Sequence, residues 1–119
     1  MIHHVTLETR REDVDDAVAF WALLGFERVE PPSERLAGIA VWVQRAGTQV
    51  HLLFHDEPVA PTRGHTAVVA DDYDDAVTRL ERAGFDCRPS TQDWGSPRCS
   101  VISPGGHRVE VMAFPPPDA

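Results

Sequence analysis

Apolar positions follow a helical spacing in two stretches of the chain that lie about 60 residues apart. In each stretch the apolar residues stand at i, i+3, i+4 and i+7; they are Val14, Ala17, Val18 and Trp21 in the first, and Tyr73, Ala76, Val77 and Leu80 in the second. This spacing predicts one apolar stripe along a helix of roughly three turns. An aspartate precedes each stripe as N-cap and a glycine follows it as left-handed C-cap: Asp13 with Gly25, and Asp72 with Gly84.

The amino-acid sequence around the two predicted helices is also repeated. "DVDDAV" (13–18) and "DYDDAV" (72–77) are each followed by "GF" at the same distance, and each is preceded by a strand-like run, "HHVTLE" or "GHTAVV". Further strands are predicted at 27–29, 39–43 and 49–54, and again at 86–89, 99–102 and 108–113, with turns at "RAGT" and "SPGG". We therefore expect an α+β domain over residues 1–119 built from two βαβββ modules, 1–54 and 64–114, joined by a linker at 55–63.

Alternation along the strands separates an apolar face from a polar one. The helix of each module must cover the strongly apolar face, which leaves the ligand-type residues on the other face. These occupy equivalent places in the two modules and are His4, His51, His65 and Glu110. Three imidazoles and a carboxylate on one shared concave surface are a suitable donor set for a divalent transition metal. The other histidines, His3, His55 and His107, are interpreted as surface residues.

Composition narrows the choice of partner. The formal net charge is −8 with only 11 Lys plus Arg, which argues against nucleic acid and against an anionic membrane surface. The longest apolar run has ten residues (17–26), whereas a membrane span needs about 20. No basic segment followed by an apolar one is visible, and Cys87 and Cys99 lack metal or redox spacing. We expect a cytoplasmic protein with two free thiols.

At "HHVTLE", "AVAFWALLGFE", "GHTAVV", "AVTRLERAGFD" and "SPGGHRVEVM" the sequence resembles the vicinal oxygen chelate superfamily, which includes glyoxalase I, extradiol dioxygenases and bleomycin-resistance proteins. The resemblance covers nearly the whole chain. It implies a cup formed by two βαβββ modules, with metal ligands on the first and last strand of each module. Carried over, these ligands fall on His4, His51, His65 and Glu110. In "SPGG", Ser103 and Gly105 replace the two acids usual in the family's closing segment.

Position 51 distinguishes members of the superfamily. His4, His65 and Glu110 match the two-His-one-Glu pattern of extradiol dioxygenases and fosfomycin-modifying transferases, whereas glyoxalase I places a glutamate where this chain has His51. The resemblance implies that His51 or Glu110 serves as a catalytic base beside the metal, which would be Fe, Ni, Zn or Mn. With a divalent ion, three neutral imidazoles and one carboxylate leave one net positive charge, which suits an enolate, catecholate or carboxylate. No basic cluster suited to a phosphonate is evident.

Four further residues are candidates for the wall of the substrate site: Trp42, Trp94, Arg98 and Met112. Arg98 could clamp a substrate carboxylate. Trp42 fits the core equally well, and Arg98 fits an ordinary surface position.

Two functions follow as hypotheses. The first is a metal-dependent lyase, isomerase or dioxygenase acting on a small oxygenated substrate. The second is a metal-free drug-binding protein of the bleomycin-resistance type. Its net negative charge would help to attract cationic drugs. The resemblance, together with a linker stiffened by Pro58 and Pro61, favours a homodimer with exchanged halves.

Overall fold

The computed structural model describes residues 1–118; Ala119, the last residue of the predicted domain, lies outside this range. The chain divides into two compact units. Unit one comprises residues 1–60 with 104–106, and unit two comprises residues 61–103 with residues from 107 onward. Within residues 1–118, no helix combines the length and the apolarity that crossing a lipid bilayer requires.

Unit one contains a four-stranded sheet and its helices. The elements in chain order are β1 (His4–Thr9), a 3-10 turn (Arg11–Asp13), α1 (Val14–Leu23), β2 (Glu27–Val29), α2 (Glu34–Ala37), β3 (Ala40–Arg45) and β4 (Thr48–Phe54). The sheet order is β1-β4-β3-β2, in which β1 runs parallel to β4 and the other pairs are antiparallel.

Unit two repeats this arrangement. Its elements are β5 (Thr66–Val69), α3 (Tyr73–Arg82), β6 (Arg88–Pro89), β7 (Arg98–Ile102) and β8 (Arg108–Met112). The order β5-β8-β7-β6 and the parallel pairing of β5 with β8 match unit one strand for strand. The predicted α+β class and the twofold βαβββ pattern are therefore confirmed.

The helix ends show which local signals acted as expected. The side chain of Asp72 caps α3 by accepting from the backbone N–H of Asp75 at 3.1 Å. Asp13 stands at the N-cap of α1 but makes no such bond, because the preceding 3-10 turn already holds its backbone in a helical conformation. Gly25 and Gly84 follow the two helices with φ of 88° and 94°, the left-handed conformation that glycine adopts without strain.

Two elements differ from the sequence prediction. The four-residue helix α2, capped by the Ser33 hydroxyl, was not foreseen because so short a segment has no apolar period. The strand predicted at 86–89 is reduced to β6, which has only two residues.

The core confirms the assignment of strand faces. Val50 and Leu52 on β4, and Val109 and Val111 on β8, are at most 2% exposed, so these alternate positions form the covered faces of the two sheets. The same alternation shows that the prediction for His107 is wrong. His107 shares its face with Val109 and Val111 and is only 5% exposed.

Candidate metal centre

Unit one brings two of the predicted ligands together. His4 on β1 and His51 on β4 stack with ring centroids 4.0 Å apart and planes inclined by 16°. Their contact follows from the register, because His51 lies opposite Thr6, two residues from His4, on the adjacent parallel strand. On the other side of His51, its antiparallel neighbour Trp42 stacks at 3.9 Å with an interplanar angle of 2°. His51 is thus held between two flat rings.

A chain of two glutamines fixes the protonation of His51. The Nε2 atom of His51 lies 2.7 Å from Gln49 Oε1, and Gln49 Nε2 donates to Gln44 Oε1 at 2.8 Å. Because an amide oxygen only accepts, Nε2 of His51 carries its proton and Nδ1 keeps the lone pair. Burial, with smaller contributions from His4 and His3, lowers the pKa of His51 from 6.5 to about 4. The ring is therefore neutral at physiological pH.

The partner ring, His4, is exposed. Its Nδ1 atom lies 2.9 Å from Nδ1 of His3, so one of these two rings donates to the other. His3 is exposed, as predicted, and it also contacts the predicted ligand His4.

Unit two brings together the other two predicted ligands. Nε2 of His65 lies 3.2 Å from Glu110 Oε2, and the Glu110 side chain is only 12% exposed. Nδ1 of His65 lies 2.9 Å from the carbonyl oxygen of Arg63, to which it must donate. In a neutral ring this leaves a bare Nε2 facing a carboxylate oxygen. The two lone pairs repel unless a proton or a metal cation lies between them.

The other carboxylate oxygen of Glu110 accepts a hydrogen bond from Arg98. Nη1 of Arg98 donates to Glu110 Oε1 at 2.8 Å, while Nη2 donates to Asp93 Oδ2 at 2.9 Å and Nε donates to the Thr91 carbonyl at 2.8 Å. The guanidinium also lies over the ring of Trp94, 4.7 Å from its centroid. Arg98 thus ties the loop between β6 and β7 to Glu110, and all three of its nitrogens already have acceptors within the chain.

The remaining candidates for the substrate wall take structural positions. Met112 is 6% exposed and lies opposite Arg98 in the pairing of β7 with β8. Trp94 is half-buried and its Nε1 donates to the carbonyl of Phe114 at 3.2 Å. Of the four, two contact a predicted ligand directly: Arg98 hydrogen-bonds to Glu110, and Trp42 stacks on His51.

The imidazole and carboxylate donors are of the types that bind a divalent metal, and they occur as two separate pairs. Among residues 1–118, no group of three or more His, Cys, Asp or Glu side chains is gathered closely enough to hold a metal ion. Each unit instead supplies two donors, His4 with His51 and His65 with Glu110. The orientation of His65 resembles that of metal-ligating histidines, whose second nitrogen donates to a carbonyl or carboxylate.

The sequence interpretation overlooked three polar residues around the predicted ligands, Gln44, Gln49 and Asp93. Gln49 lies two positions before His51 and so shares its face, and Gln44 is its partner across the "RAGT" turn. That spacing was a usable signal. Asp93 offered no such signal, because it lies in an irregular loop whose path the sequence pattern does not define.

Comparisons with known proteins cover nearly the whole chain. The family model described as Glyoxalase/Bleomycin resistance protein/Dioxygenase superfamily matches residues 1–111. Among solved structures, a protein from Bacillus anthracis described as of the glyoxalase family is 23% identical with a TM-score of 0.83, over 94% of this chain and 93% of that one. Among curated protein sequences, no match was found.

Two further solved structures illustrate the range of similar proteins. Lactoylglutathione lyase from Agrobacterium tumefaciens is 25% identical with a TM-score of 0.69, covering 94% of this chain and 92% of that one. A variant of the fosfomycin resistance protein FosX from Listeria monocytogenes, complexed with Mn(II) and 1S,2S-dihydroxypropylphosphonic acid, is 18% identical. Its TM-score is 0.74, over 97% of this chain and 93% of that one.

Proposed function

The chain belongs to the Glyoxalase/Bleomycin resistance protein/Dioxygenase superfamily, and we propose that within it the protein is a metal-dependent, glyoxalase-like lyase, isomerase or dioxygenase. The observation that carries this proposal is the relation between His65 and Glu110. A carbonyl-oriented imidazole presents Nε2 to a largely buried carboxylate oxygen at 3.2 Å, an arrangement that a divalent cation stabilises.

The metal would be held by His4, His51, His65 and Glu110. These residues occur as one pair per module, and neither pair alone supplies the four ligands typical of zinc or the three of a facial triad. The proposed site therefore requires both modules, from one chain or from two chains of a homodimer. The Mn(II) complex of the FosX variant supports a divalent ion as the cofactor, with Fe, Ni, Zn and Mn as candidates.

The bound metal would supply Lewis-acid stabilisation of an oxyanion that develops on a small oxygenated substrate. The residues of the chain have separate tasks. Arg98 and Arg63 orient Glu110 and His65, because each contributes a hydrogen-bond partner to one side chain of the pair. The Gln44–Gln49 chain fixes the ring of His51 with its Nδ1 lone pair available.

His51 is a weak base, so that a proton transferred to it would be released readily. Its pKa, lowered to about 4 mainly by burial, keeps it neutral near pH 7, so it is available as a ligand or as a base. Trp42 forms a flat wall against His51. The two free cysteines fit a reducing, cytoplasmic location.

The experiment is reconstitution followed by an activity screen. Protein stripped with a chelator is reloaded separately with Fe(II), Ni(II), Zn(II) and Mn(II) and assayed against catechols and 2-oxoaldehydes. We expect turnover with at least one metal and none in the stripped protein. The Glu110→Gln variant should lose that turnover, whereas Glu57→Gln, an exposed change outside the candidate site, should retain it. Activity that persists without metal would contradict the proposal.

A second function, metal-free binding of a cationic drug, is favoured by one specific observation. Arg98 already neutralises Glu110 at 2.8 Å, so this carboxylate has a cationic partner without any metal. The stacked rings of Trp42, His51 and His4 provide an aromatic surface, and the net charge of −8 attracts cations. Quenching of tryptophan fluorescence by bleomycin in stripped protein, abolished by Trp42→Leu, would support this function.

A further inference from the structure

A cavity separate from the metal ligands opens in unit two. Its volume is about 540 Å³, within the range of roughly 300–1,000 Å³ usual for small-molecule sites. It is lined by the loop after α3 and by β6, β7 and β8. On β7, the lining residues Ser100 and Ile102 alternate with the buried Cys99 and Val101. The cavity therefore lies on the sheet face that carries Glu110, opposite the face covered by α3.

The lining carries an excess of positive charge. Arg88 and Arg108 both line the cavity, together with the hydroxyls of Ser90 and Ser100. One carboxylate, Asp86, also lines it and accepts from Arg88 Nε at 2.8 Å.

Neither arginine side chain has all of its donor nitrogens paired within residues 1–118. Across residues 1–118, the terminal nitrogens of Arg88 have no hydrogen-bond acceptor, and the side chain of Arg108 forms no hydrogen bond or ion pair. In a chain with a net charge of −8, two guanidiniums against one carboxylate form a local positive site.

We propose that this arginine cavity, defined by Arg88, Ser90, Ser100 and Arg108, binds the anionic group of a small organic molecule. Guanidinium nitrogens and hydroxyls are suitable donors to a carboxylate or phosphate. The apolar part of the ligand lies against Ile102, which is 53% exposed on a sheet face where an apolar side chain otherwise meets water.

The position of the cavity connects it to the candidate metal centre. Ser100 on β7 is the direct partner of Glu110 on β8, and directly opposed residues in an antiparallel pair are about 5 Å apart at Cβ. A ligand anchored at the arginines therefore reaches the Glu110 carboxylate with a short extension. Resting on the proposed function, this assigns the substrate to a chemical class: an oxygenated molecule that also carries a carboxylate or phosphate.

The test is an NMR titration of ¹⁵N-labelled, metal-free protein with phenyl phosphate, benzoate and the neutral analogue benzamide. We expect saturable shifts confined to the amides of residues 84–88, 90, 100–102 and 108 for one or both anions, and none for benzamide. Arg108→Gln and Arg88→Gln should each weaken binding by about fivefold or more, because each removes a charge-assisted donor. Arg82→Gln, an exposed arginine of α3 outside the cavity, is the matched control and should change nothing.

Each outcome is decisive for one proposal. Shifts spread over the whole surface, equal binding of benzamide, or equal weakening by Arg82→Gln would overturn the anion site. The spectrum of each variant shows directly whether it is folded. Because the titration uses metal-free protein, loss of anion binding leaves the metal-dependent function standing. Conversely, failure to bind metal leaves the anion site standing without its link to a substrate.

Discussion

Arg98 and Glu110 form a hydrogen-bonded ion pair between β7 and β8, with Nη1 of the guanidinium 2.8 Å from Oε1 of the carboxylate. Their side chains are 18% and 12% exposed, far less than those of the surface pair formed by Arg79 and Asp75, which are 48% and 54% exposed. A shielded pair holds one oxygen of Glu110 in place and directs the other towards His65. The same contact that stabilises the sheet therefore orients the predicted ligand.

The Arg98→Gln variant should be markedly destabilised. Removing the guanidinium leaves Glu110 and Asp93 without their cationic partner, and we expect the free energy of unfolding to fall by about 1–3 kcal/mol. The matched change Arg79→Gln breaks only the exposed helical pair and should cost less than about 0.5 kcal/mol. Urea denaturation of metal-free protein measures both. Equal, small losses would show that Arg98 adds nothing beyond a surface ion pair.

His51 should make the metal-free protein less stable as the pH falls below the ordinary histidine range. Its native pKa is about 4, whereas the unfolded side chain titrates near 6.5. Between these values the unfolded state binds a proton that the native state does not, so stability is complete above 6.5 and declines towards 4. We expect a loss of about 1–2 kcal/mol after allowing for solvent screening.

The direct measurement is an NMR titration of the His51 Cε1–H resonance, assigned by its absence in His51→Asn. A midpoint near 4 is expected. A midpoint at the value of free histidine would show that neither burial nor the neighbouring His4 and His3 affects the ring. The His51→Asn variant should also show a smaller loss of stability on acidification than the parent protein.

The two thiols should be unreactive in the native protein. Burial, followed by the neighbouring Cys99, raises the pKa of the Cys87 thiol to about 12, and burial likewise raises that of Cys99. Because the thiolate is the reactive form, iodoacetamide at mildly alkaline pH should label native protein about 100-fold or more slowly than urea-unfolded protein. Mass spectrometry of timed samples measures this. Similar rates in both states would contradict the burial argument.

The fold could be predicted from sequence because each module follows simple periodicities. The stripes ending at Trp21 and Leu80 and the alternation around Val50 and Val109 are sufficient to place the helices and the covered faces, and burial confirms them. The features that were not predicted correctly are those that show no periodic pattern of apolar residues or were not assigned from one. Helix α2 is too short to repeat, and His107 was assigned from its place after a turn although its strand parity matches that of Val109.

The candidate site was only partly predictable, for a geometric reason. Strand parity tells which residues share a face, so the pairs His4 with His51 and His65 with Glu110 followed from alternation. Parity gives no information on where a long side chain ends. The turn of Arg98 towards Glu110, Thr91 and Asp93 depends on the path of the loop between β6 and β7, which no sequence period defines.

The homodimer with exchanged halves can be tested by mixing two inactive variants. If each site takes His4 and His51 from one chain and His65 and Glu110 from the other, a mixed dimer of His4→Ala with Glu110→Ala has one site with both changes and one with neither. Co-refolded mixtures should then recover about one intact metal site per mixed dimer. No recovery, although mixed dimers are shown to form, would mean that the ligands all come from one chain.

Isothermal titration of stripped protein with Zn(II) and Ni(II) tests the metal-dependent function most directly. The account predicts about one ion per chain, with His4→Ala, His65→Ala and Glu110→Ala each losing most of the affinity, about 10- to 100-fold or more. His51→Ala should lose less if it acts as a base or loose fourth ligand, and the exposed control His55→Ala should lose nothing. Equal, small losses for all five variants, or less than about 0.2 ion per chain, would contradict it.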